Sequence, residues 1–139
     1  MSIKKIKLKE LKLNFQLYMT KVINFSHPPK FGTYCNIEMD NGDPCWISIS
    51  QKGLVIKKSK LGIFGKIIFE KNFYADKKMD GFEMSRLPFF QSLKNKFENS
   101  TLKPSDMMYL PLDIIVNAVL HCSSINDIKS MMLELEIKD

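Results

Sequence analysis

Arginine is almost missing from this chain: Arg86 stands alone beside 20 lysines in 139 residues. The lysine-rich first half therefore has no guanidinium forks for bidentate recognition of phosphates or base edges. Histidine is nearly as scarce, with only His27 and His121, and the three cysteines Cys35, Cys45 and Cys122 fall in no metal-ligand spacing. That argues against a structural zinc site and predicts no metal centre. No apolar run is long enough to span a membrane, and lysines interrupt the apolar residues at the start, leaving no signal-peptide core. The expected compartment is the cytoplasm. A phosphate loop, a dinucleotide fingerprint and a catalytic triad are missing too, so the expectation is a protein without catalytic activity and without a cofactor.

What remains is a chain with 45% hydrophobic and 26% charged residues, enough to bury one core. Residues 1–139 are therefore expected to form a single domain. The net charge of +6 is uneven: residues 1–78 hold 15 lysines against 6 acids, and residues 79–139 hold 6 basic residues against 9 acids. A lysine-rich surface is in most proteins simply a solvated one.

Taken in order, residues 3–13 form no apolar face on a helical wheel, because Leu8 falls between Lys4 and Lys12. Leu11, Leu13, Phe15, Leu17 and Met19 alternate with polar residues and predict a half-buried strand. A helix burying Leu11, Phe15, Tyr18, Val22 and Phe25 is the rival reading. His27-Pro28-Pro29 stops regular structure. Residues 33–39 and 45–50 then predict a hairpin turning at Asn41-Gly42. Keeping Ile37, Ile47 and Ile49 on one face sets Met39 opposite Cys45 and Cys35 opposite Ile49. That register holds Cys35 and Cys45 beyond the roughly 7 Å reach of a disulfide, as free thiols of a reducing compartment. Trp46, the only tryptophan, shares the other face with Asn36, Glu38 and Ser48, and either packs under later helices or lines a binding surface.

Residues 54–58 and 67–69 continue an antiparallel meander. From residue 80 the period becomes helical. Pro88 suits a first helical position, ahead of Phe89, Phe90, Leu93 and Phe97. A second helix from about Pro111 buries Leu112, Ile115, Val116, Val119 and Leu120. Ser124 and Asp127 then cap a third that carries Ile125, Ile128, Met131, Met132 and Leu135. The predicted fold class is α+β: a meander of about 4–5 strands from about 11–70, covered by about three helices from about 80–137.

Three features carry candidate chemistry. The loop between the last two strands presents Ile63 and Phe64 between Gly62 and Gly65, ringed by Lys57, Lys58, Lys60 and Lys66. It is either a binding tip or a tight turn whose hydrophobes fold back into the core. Asp113, Asn117 and His121 form a polar stripe at i, i+4 and i+8, expected to be a solvated face; adjacent His121 and Cys122 form a nucleophile pair only where the helix has ended. The nine methionines suit either a core or an adaptable partner surface. The function expected is a small cytoplasmic interaction module, an adaptor or regulatory subunit. It would bind a protein, preferably an acidic one, through Lys57, Lys58, Lys60, Ile63, Phe64 and Lys66 and the neighbouring sheet edge. A second copy of the chain is a further candidate partner. The alternative is a lysine-driven binder of nucleic acid or anionic membrane.

Overall fold

A computed structural model describes residues 5–14, 24–25, 32–50, 52–59, 65–73, 81–97 and 110–138. It shows the α+β arrangement expected: a mostly antiparallel sheet from the first half of the chain, followed by helices. The described strands are β1 (Lys5–Lys7), β2 (Asn24–Phe25), β3 (Gly32–Glu38), β4 (Pro44–Ser50), β5 (Gly53–Lys57) and β6 (Ile67–Asn72). They run in the order β1-β3-β4-β5-β6, and β2 also pairs with β3. β1 is parallel to β3 at residues 36–38, while β2 is antiparallel to it at residues 33–34, so the two short strands share one edge. The described helices are α1 (Leu8–Leu13), α2 (Gly81–Ser85), α3 (Pro88–Lys96), α4 (Leu110–Val119) and α5 (Ile125–Lys138).

The start of the chain departs from expectation. The sheet begins at Lys5 rather than near residue 11, and residues 11–13 are helical rather than extended. Residues two apart on a helix point about 200° apart. Accordingly Leu11 is fully buried while Leu13 is 84% exposed, whereas a strand would have put them on one face. The wheel's missing apolar face is also corrected, because one turn suffices: Leu8 and Leu11, three apart, both enter the core. The predicted strand at 15–20 and the proline loop at 27–31 lie outside the described residues.

The β3–β4 hairpin forms with the expected faces but a tighter register, Cys35 opposite Ile47 and Ile37 opposite Cys45. The turn explains the shift. Met39 N–H donates to Asp43 O at 2.8 Å and Gly42 N–H to Met39 O at 2.9 Å, leaving three residues in the loop. Gly42 takes a φ of +89°, the left-handed position that ends such loops, and Pro44 enters the strand. Cys35 and Cys45 therefore sit diagonally, about 7–8 Å apart, closer than expected yet beyond a disulfide; all three thiols are free. On β5, a Cβ at Gly53 would meet the Lys71 carbonyl, so only glycine allows β6 this close.

One face of the sheet carries the rows Ile6–Ile37–Cys45 and Cys35–Ile47–Ile56–Phe69, all buried. The helices close over it. Phe69 stacks on Phe89 of α3 with centroids 6.0 Å apart, and Phe89 meets Phe90 edge-on at 5.5 Å. Pro88 opens α3 as its position predicts. α4 buries Leu112, Ile115, Val116 and Val119, and α5 buries Ile125, Ile128, Met131, Met132 and Leu135. Among the described residues no helix is long and apolar enough to cross a membrane.

Candidate functional site

The loop between β5 and β6 is built on a ladder that narrows to a neck. Lys57 pairs with Ile67 across a bulge that skips Ile68. Lys58 N–H then donates to Lys66 O at 2.9 Å, and Lys66 N–H to Ser59 Oγ at 3.0 Å. Lys58 and Lys66 are exposed, and Lys57 is half-buried. Lys58 Nζ lies 3.8 Å from Asp43 Oδ2, which ties the neck to the β3–β4 turn. Both partners are solvated, so the tie is worth at most about 1 kcal/mol. Lys60, Ile63 and Phe64 lie outside the described residues, so the structure brings together only the lysines of the expected site at 57, 58 and 66. It adds one residue that sequence reasoning left out: Ile67, at the start of β6 and 49% exposed. β6 pairs with β5 and with no other described strand, and α5 packs against it.

The polar stripe on α4 is not a solvated face. Asp113 is 3% exposed and Asn117 half-buried, and only His121, beyond the helix end, reaches solvent. Asp113 lies close enough to Cys35 to add to the burial that pushes that thiol up to about 12. The signal for its burial was the apolar residues on every side of it in residues 110–120.

α4 does end before His121, yet no nucleophile pair results. His121 stacks on Phe97 with centroids 4.6 Å apart, while Cys122 turns inward, Sγ lying 3.9 Å from Ala118 O and from Met131 Sδ. Burial pushes the Cys122 thiol up to about 11 and Cys45 well above its ordinary range, so at neutral pH neither supplies a thiolate. Met131 and Met132 are core residues; Met107 and Met108 lie outside the described residues.

A cleft of about 250 Å³ opens between α1 and the β3–β4 turn, lined in part by Lys7, Lys9, Glu38 and Asp40. Its charges balance, and each carboxylate already faces a further lysine, Lys5 at 3.3 Å and Lys12 at 3.9 Å. Among the described residues no group of three His, Cys, Asp or Glu side chains is placed to hold a metal ion.

The sheet face turned away from the helices holds the least settled chemistry. Trp46 is half-buried there and takes no part in the core of described residues, so it does not pack under the described helices. The ladders align it in one row, Lys5–Asn36–Trp46–Lys57. Asn36 is only 6% exposed, and its Oδ1 accepts no hydrogen bond. An orphaned buried carbonyl costs about 1–3 kcal/mol. The sequence placed Trp46 and Asn36 on one face but missed Lys5, because short parallel strands leave no periodic trace. No protein-family model, curated protein or solved structure matches this chain.

Proposed function

We propose that this chain is a small interaction module, an adaptor or regulatory subunit, that receives another protein at the 57–66 loop and the adjoining edge of β6. The observation that carries the reading is Ile67, a large apolar side chain 49% exposed at the mouth of the loop, on a strand with only one described neighbour. Unpaired backbone groups of such a strand can accept an added strand, and a hydrophobe beside them supplies an anchor. Lys58 and Lys66 flank that anchor and favour an acidic partner, and the weak Lys58–Asp43 pair is readily exchanged. Lys60, Ile63 and Phe64, in the same loop by sequence, are included in the proposed contact. Three free, buried thiols support a reducing compartment, the cytoplasm.

A photo-crosslinker placed at position 67 tests this. The expected result is one protein attached at moderate salt from cell extract, lost in a Lys58→Glu/Lys66→Glu background, and not attached from a crosslinker at position 133 on α5. Leu133 is similarly exposed, at 43%, and is the control for mere stickiness. Equal products from positions 67 and 133, or none from 67, would refute the proposal.

A further inference from the structure

The row across the outer face of the sheet meets a different kind of partner. Four neighbouring strands place Lys5, Asn36, Trp46 and Lys57 side by side, the two lysines about 14 Å apart across three strand spacings. Cys35 and Ile37 face the core, so Asn36 between them points to the outer face with Trp46. Asn36 is more than nine-tenths buried, and its carbonyl finds no donor inside the fold. Trp46, beside it, offers a half-buried indole.

We propose that this face binds single-stranded nucleic acid, with Trp46 stacking a base and Asn36 reading its edge. This is a second surface, which adjoins the proposed protein contact where Lys57 pairs with Ile67. Each element of the row answers one part of a nucleotide. An indole face stacks on any base. An orphaned amide carbonyl calls for an N–H donor, and adenine presents an amino group beside a ring nitrogen, the pair that an asparagine amide matches. Lys5 and Lys57 at the two ends suit the phosphates. Both are engaged within the fold; the pair that Lys5 makes with Glu38 at 3.3 Å is solvated and exchanges for phosphate at little cost. The carbonyl is closed off in the free protein, so binding requires its surroundings to open. The charge favours this occupant: the described ionisable groups of the face are Lys5, Lys7 and Lys57 against Glu38 and Glu70, within a half of the chain rich in lysine.

Trp46 is the only tryptophan, so its fluorescence reports the site directly. The full chain is titrated with short oligoadenylate, oligouridylate, AMP and heparin at about 0.1 M salt. Expected are quenching by oligoadenylate at about tenfold lower concentration than by oligouridylate, weaker quenching by AMP, and none by heparin. Asn36→Leu should melt no lower than the wild type, since it removes an unsatisfied carbonyl, and should lose the preference for adenine. Lys5→Gln should reduce the salt dependence of oligoadenylate binding by about one counterion. Absence of quenching by any oligonucleotide would overturn the proposal, as would an equal response to heparin. So would an adenine preference that survives Asn36→Leu, or AMP matching the oligonucleotide, which would make the site one for free nucleotides.

Discussion

Asp127 accepts from the backbone N–H groups of Ser123 and Ser124 at 3.1 and 3.2 Å, while Ser124 Oγ accepts from Asp127 N–H at 3.3 Å. This reciprocal cap opens α5, and it was readable from the residues alone because a serine followed three positions later by an acid is a local pattern. The bond from Ser123 N–H, helped by those from Ser124, holds the Asp127 carboxyl below its ordinary range. A depressed folded value means that the stabilisation is present above the unfolded aspartate range and disappears as pH falls through the folded value. Thermal melts of wild type and Asp127→Asn should therefore differ at about pH 7 and converge towards about pH 2. A constant difference would show that the ionised carboxylate contributes nothing. Ser124→Ala should cost about 1 kcal/mol. Asn36 marks the limit of such reading: its burial is decided by what lies across the sheet, which no local pattern carries.

Elements were legible where their period ran long enough. α3, α4 and α5 each bury the residues their spacing selects, and β4 alternates buried and half-buried along its length. The failures are short or depend on partners. Six residues of α1 give barely two turns of pattern, and the alternation of Leu11 and Leu13 with polar residues mimics a strand within it. Three residues of β1 give none, and their pairing with β3 is set by contacts more than thirty residues apart. The hairpin faces were right because they follow parity, while the register depended on the three-residue turn. If α1 is a structural plug, Leu11→Ala should lower stability by about 2–5 kcal/mol, the usual cost of truncating a fully buried leucine, whereas Leu13→Ala should leave the melting temperature within about a degree because the side chain is exposed. Chemical denaturation of both variants checks this. Similar large effects at both positions would mean that the two side chains share one buried face, as the extended reading of residues 11–13 has it.

Among the described residues of the molecule, one face of the sheet is covered by helices, while the other face and the β6 edge with its loop supply the candidate surfaces, so the residues that hold the fold and those proposed to bind are largely distinct sets. That separation explains why the fold class could be read and the function could not: burial imposes a period on a sequence, while a binding face made of lysines, one tryptophan and an amide imposes none. The three thiols probe whether the core acts as one unit. Cys35 and Cys45 lie on the sheet, and Cys122 lies at the corner between α4 and α5, all within one continuous set of buried residues. The Asp40 N–H bond to Ser123 O at 3.2 Å ties the β3–β4 turn to that corner. Burial and raised thiol values should leave all three unreactive towards a maleimide or disulfide reagent in the native protein. Pulse labelling across a denaturant series, resolved by peptide mass, should then give three curves with one midpoint, coincident with loss of the helical circular dichroism signal. A single transition is the behaviour of one cooperative domain spanning residues 1–139. Earlier labelling of Cys122 would instead show that the α4–α5 corner opens as a unit of its own, leaving the sheet intact beneath it.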